Sequence, residues 1–203
     1  ALPGSFEADT AGARSSAPLT AGVVMRILWI KSGLLHPADF GGRIRSFHTL
    51  RHLARRHDIT YLALDDPPTS LAERAGAEEY CGRLVVVPHR KHATFTAGFL
   101  LDLVRNLGSP RPYFVMAYES HPMRVAIART LAEGGFDLVV CDFLAASVNL
   151  PATSPCPTLL FAHNVEATIW RRLAEAEPHP LKRAYLSGQW RKTRASTGCS
   201  ART

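Results

Sequence analysis

No run of apolar residues in this chain approaches the roughly eighteen that a membrane-spanning helix needs. The longest apolar stretches, around Leu84–Val87 and Leu138–Cys141, have the length of buried strands. Cysteine is scarce and scattered. Cys81, Cys141, Cys156 and Cys199 form no CxxC pair and no Cys/His cluster at zinc spacing. That argues against a structural metal and a disulfide framework, and it suits a reducing cytoplasm. No GxGxxG follows the first strand, so a nucleotide-dependent oxidoreductase lacks its phosphate-binding fingerprint. Acidic residues stop at Glu177.

The last absence explains the net charge of +7. From Lys182 onward the chain carries Lys182, Arg183, Arg191, Lys192, Arg194 and Arg202 with no acid, and everything before is close to neutral. A nucleic-acid module carries its basic face within the fold. Here the excess sits in a tail, so no nucleic-acid partner is expected. What is present is ample: 203 residues, 46% apolar, suffice for one full-sized core.

Residues 1–24 are rich in Ala, Gly, Ser, Thr and Pro and have too few hydrophobes to offset their ordering entropy. With Arg14 as its one basic residue and no apolar h-region, this stretch is a poor signal peptide, and it reads as leader or upstream sequence. Strands are predicted at Ile27–Ile30, Ile59–Leu64, Leu84–Val87, Phe136–Cys141 and Thr158–Ala162. Helices are predicted at Gly42–His57, Ser70–Tyr80, Thr94–Arg105, His121–Glu133, Glu166–Glu175 and Leu181–Trp190. Short, fully apolar strands alternating with helices imply an α/β fold, a Rossmann-like parallel sheet covered on both faces. That domain is assigned to residues 25–178. Residues 179–203 are assigned to a linking helix and a tail whose composition breaks the pattern from Thr193, as in a truncated or frame-shifted end.

In such sheets ligands bind beyond the carboxyl ends of the strands. After the first strand come Lys31-Ser32-Gly33 and then Gly41-Gly42-Arg43-Ile44-Arg45, which opens a helix. Free backbone N–H groups at a helix start accept an anion. Arg43 and Arg45 are disfavoured there by the helix dipole unless an anionic ligand joins them, or unless they turn to water with Asp39 as a partner. Asp142, directly after the fourth strand, is expected at the rim, either holding a sugar hydroxyl or exchanging a proton, or else capping a helix near Leu144. His163 titrates near neutral pH and Asn164 offers donor and acceptor together, unless the pair is merely a turn ahead of Glu166. Trp170 and Trp190, with Arg171-Arg172 and the terminal basic run, form either solvated faces or a surface able to touch anionic lipid.

Three ordered segments resemble the family 4 glycosyltransferases. They are Met25–Ile30 with Gly41-Gly42-x-x-Arg45 and His57-Asp58-Ile59-Thr60-Tyr61, then Phe136–Asp142, then Phe161-Ala162-His163-Asn164-Val165-Glu166. The similarity covers about Met25 to Lys192 and is nearest to sugar transferases of bacterial polysaccharide assembly. It implies one lobe of a GT-B architecture, the amino-terminal lobe that mainly holds the acceptor. It also implies retaining transfer of a sugar from a nucleotide-sugar donor to a glycan or lipid-linked acceptor, with no bound cofactor and no essential metal. By this resemblance Gly41 and Gly42 approach donor phosphates or acceptor, and Arg45, more than Arg43, meets an acidic group. Asp142 and His163 line the acceptor side as the catalytic candidates, and Asn164 and Glu166 join the substrate contacts. The implied location is the cytoplasm, with peripheral contact to the inner face of the plasma membrane through the basic carboxyl-terminal segment left open. The donor-binding lobe of the family has no counterpart in these residues, so the chain alone is expected to be inactive. A non-catalytic anion- or sugar-phosphate-binding module is the alternative.

Overall fold

The computed structural model describes residues 23–66, 68–162 and 166–200, with side chains through 196. Five strands, β1 (Arg26–Lys31), β2 (Asp58–Asp65), β3 (Arg83–Pro88), β4 (Leu138–Asp142) and β5 (Thr158–Phe161), form one sheet in the order β3-β2-β1-β4-β5. Every pairing is parallel. The expected Rossmann-like fold is therefore present. Strand order reverses between β1 and β4, which makes the carboxyl ends of these two strands the switch point.

Alternation along the strands builds two cores. Ile27, Trp29, Ile59, Tyr61 and Val140 face α1 (Gly41–Leu53), whose Phe47 and Leu50 pack onto them. Leu28, Ile30, Leu62, Val139 and Cys141 face the other side, with Met123, Ile127 and Leu131 of a later helix. Both faces are thus buried, which is why the strands are apolar throughout.

After β2, α2 (Leu71–Ala75) starts on a Ser70/Glu73 capping box and tightens into a 3-10 turn at Gly76–Glu79. Next come α3 (Ala97–Leu107), capped by Thr96, and the short α4 (Tyr113–Met116). The α4 turn lies outside the helices predicted from the sequence, in a stretch with two prolines, Pro110 and Pro112. Pro112 stands at the helix N-cap in an extended conformation. Helix α5 (His121–Ala132), capped by Ser120, ends where Gly134 and Gly135 take φ of +74° and +77°, a backbone that favours glycine. A 3-10 segment at Leu144–Asn149 separates β4 from β5, and α6 (Glu166–Ala176) and α7 (Pro180–Ser200) complete the described chain.

Several boundaries differ from expectation, three of them with a visible cause. Helix α1 ends at Leu53 rather than His57, where a turn lets Met25 N donate to His57 Nδ1 at 3.2 Å. Strand β4 starts at Leu138 rather than Phe136, since Gly134 and Gly135 are followed by Asp137, whose carboxylate accepts from Arg26 N at 2.8 Å. Helix α7 runs straight through the compositional break at Thr193. Its buried face explains this: Gln189 and Thr193 are enclosed, Gln189 Nε2 donates to Asn106 Oδ1 at 2.7 Å, and Tyr113 N donates to Gln189 Oε1 at 2.7 Å. The linking helix is thereby docked on α3 and α4, as part of the same body.

Candidate functional site

At the switch point the last residues of β1 and β4, Lys31 and Asp142, are partners in register. Both point to the α1 side of the sheet, as odd and even residues of their strands require. Lys31 Nζ lies 2.8 Å from Asp142 Oδ1, and both side chains are buried. Trp29 Nε1 donates to Asp142 Oδ2 at 3.0 Å. Ser46 of α1 accepts from Lys31 Nζ at 2.9 Å and donates to Asp142 Oδ2 at 2.6 Å. Burial holds the Lys31 ammonium below its ordinary value, while Asp142 pulls it back up.

The aromatic ring of Phe143 closes this ion pair from outside, with Lys31 Nζ 4.6 Å from its centre. Phe143 takes φ of +74°, a conformation that costs energy for a bulky residue. The same ring lies against Gly42, where an added Cβ would sit 3.1 Å from Cε2 and Cζ. Close approach, and no positive φ, is what a glycine supplies at this position. Gly41 and Gly42 are the first residues of α1 rather than a turn, and Phe40 at the N-cap offers no side-chain hydrogen bond.

The sequence-derived residues separate on this geometry. Gly41 and Gly42 stand at the helix start as expected. Arg43 folds back, its Nη1 3.2 Å from Asp39 Oδ1 and 3.3 Å from Pro37 O, with the guanidinium 4.6 Å above the Phe40 ring. The Asp39 partnership is therefore the one realised. Arg45 is exposed on the first turn. Asp142 is a correction: instead of lining a rim it is completely buried, and it is not the cap of the segment that starts at Leu144, whose N-cap is Phe143. Its fixed partners make it a structural carboxylate in this state. His163 and Asn164 lie outside the described residues.

Glu166, the first residue of α6, is nearly enclosed, and its Oε1 is buried with no hydrogen-bond partner among the described residues. Burial pushes its carboxyl above the usual carboxylate range. A carboxyl that holds its proton more tightly than usual, on the carboxyl-end side of the sheet, has the form of a proton donor.

Ser46 and Trp29 were not singled out by the sequence. Ser46 offered one signal, a polar residue four places after Gly42 between the apolar Ile44 and Phe47. The end of β2 also bears on function. In dinucleotide-binding sheets an acid there holds a ribose hydroxyl. Here Asp65 accepts from Thr69 N at 2.8 Å and Thr69 Oγ1 at 2.9 Å and is paired with Arg74, so that carboxylate is already engaged.

A cavity of about 550 Å³ opens on the opposite face of the sheet, between α5 and β5. Its lining is mostly apolar, including Leu131, Val139, Leu150 and Leu160, and the Cys141 thiol there is pushed up to about 12 by burial. It has none of the charged groups of the switch point.

No family model matches this chain, and no curated protein matches it in sequence.

Proposed function

We propose that this chain supplies the acceptor-side lobe of a retaining glycosyltransferase. A sugar would pass from a nucleotide-sugar donor, held mainly by a second GT-B lobe, to a glycan or lipid-linked acceptor. One observation carries the reading: an uncapped helix start with glycines at its first two positions, beside the switch point of a β3-β2-β1-β4-β5 parallel sheet. The amides of Gly41 and Gly42, with Arg45 on the same turn, meet a phosphate or acidic sugar on the acceptor. Glu166 stands on the carboxyl-end side with its carboxyl raised above the usual range by burial, and His163 and Asn164 remain the proposed contacts between β5 and α6.

A second reading draws on the burial of Asp142. With that carboxylate locked to Lys31, the described residues hold an anion-binding surface with no exposed catalytic carboxylate from β4. A sugar-phosphate-binding module without turnover has the same surface.

Calorimetric titration separates the possibilities. A phosphorylated glycan should bind the chain saturably, and Arg45→Ala should weaken it about tenfold, the loss of one charge-assisted contact. Nucleotide sugars should bind weakly or not at all. Tight nucleotide-sugar binding with no response to the phosphorylated glycan would contradict the acceptor-side assignment. Sugar transfer by these residues alone would remove the second reading.

A further inference from the structure

An ion pair buried at the switch point pays for desolvation that apolar packing would avoid, so stability alone is a weak reason for Lys31 and Asp142 to meet there. A lysine ammonium has three N–H donors. Among the described residues Lys31 Nζ engages Asp142 Oδ1 at 2.8 Å and Ser46 Oγ at 2.9 Å. The remaining donor has the face of the Phe143 ring, whose centre is 4.6 Å away.

That ring stands between Lys31 and the start of α1. It lies 4.6 Å from Nζ, and it also fills the space that a Cβ on Gly42 would take. Ser46 links the same two places, since its Oγ accepts from Lys31 Nζ and lies 3.0 Å from Gly42 O. The backbone of Phe143 is pinned in its left-handed conformation. Its N–H donates to Phe161 O and its carbonyl accepts from Ala146 N, both at 3.2 Å. Rotation about Cα–Cβ therefore moves the ring while the chain stays fixed. Asp142 keeps all of its partners during that rotation, so opening leaves no buried charge unpaired.

We propose that Phe143 is a gate over Lys31, and that with the ring swung aside Lys31 Nζ holds the anionic group that the Gly41 and Gly42 amides receive. The inference rests on the acceptor-side reading above and adds a binding cation to it. Unlike Arg43, which is spent on Asp39, Lys31 is positioned by the sheet itself, at the carboxyl end of β1. A fixed ammonium beside two helix-start amides favours a compact anion such as a phosphate.

Two readouts on the full chain test this, with inorganic phosphate as the probe. Acetylation followed by mass spectrometry reads access to Lys31, with the exposed Lys182 as internal reference. Nitrogen-15 NMR reads the Gly41 and Gly42 amides, and unchanged β1 and β4 peaks show that a variant is folded. Phe143→Ala and Phe143→Gly should each speed Lys31 acetylation at least about tenfold and leave Lys182 unchanged. Phosphate should bind both variants about tenfold more tightly than wild type, as when a competent state of roughly one part in ten becomes dominant. It should also slow Lys31 acetylation in both. Equal Lys31 acetylation in wild type and variants would overturn the gate. Phosphate shifts at Gly41 and Gly42 with no gain in affinity and no protection of Lys31 would overturn it too, while leaving the anion site standing. Phosphate that moves neither amide in any of the proteins would remove the anion site itself, and the Lys31 assignment with it.

Discussion

Replacing Asp142 by alanine should destabilise the fold by about 3–5 kcal/mol, the loss seen when one member of a buried ion pair is removed. The reason is what remains. Lys31 Nζ keeps Ser46 at 2.9 Å but loses the carboxylate 2.8 Å away, and the Phe143 ring still shuts it from water. Trp29 Nε1 loses its acceptor in the same step, while the Ser46 hydroxyl keeps Gly42 O at 3.0 Å. Each buried donor left without a partner adds a penalty of about 1–3 kcal/mol, although these terms overlap rather than sum. The double variant Lys31→Met, Asp142→Leu removes both charges together and should recover most of the loss. Urea denaturation of the two variants measures this. A cost below about 1 kcal/mol for Asp142→Ala would mean that water already reaches the pair.

The second large effect is expected at Asn106. Its amide joins α3 to Gln189 of α7, to the carbonyl of Arg111 and, at 2.9 Å, to Met116 Sδ. Asn106→Ala leaves the buried Gln189 amide short of a partner and should cost about 3 kcal/mol. Because α7 meets α3 through this polar network, the loss should be partly local. Hydrogen exchange in α7 should accelerate more than exchange in β1 or β4. Uniform acceleration across the sheet would show instead that α7 unfolds only with the whole body.

The fold was legible because its signals are local and repeated. Apolar strand runs and the Gly134-Gly135 stop after a helix each act within a few residues. Parallel pairing then follows from alternation with helices. What could not be read depends on pairings distant in sequence. Asp142 looked like a rim residue because a carboxylate after an apolar strand ordinarily ends in water. Its partner Lys31 lies 111 positions earlier and meets it only once β1 and β4 are adjacent. Ser46 and Trp29 complete the same enclosure from α1 and β1. The continuation of α7 past Thr193 was hidden likewise, since small and polar residues there look like an end, and the docking of Gln189 on Asn106 and Tyr113 comes from pairings distant in sequence. Arg43 was ambiguous from the start, and the geometry gives it to Asp39.

The amides of Gly41 and Gly42 are the centre of the functional account, and nitrogen-15 NMR of the whole chain observes them one at a time. Titrating a phosphorylated glycan should shift the Gly41, Gly42 and Arg45 amides together along one saturable curve, with the amides of α3 unmoved. Shifts that leave Gly41 and Gly42 in place, or that gather around the cavity beside β5, would contradict an acceptor site at the start of α1.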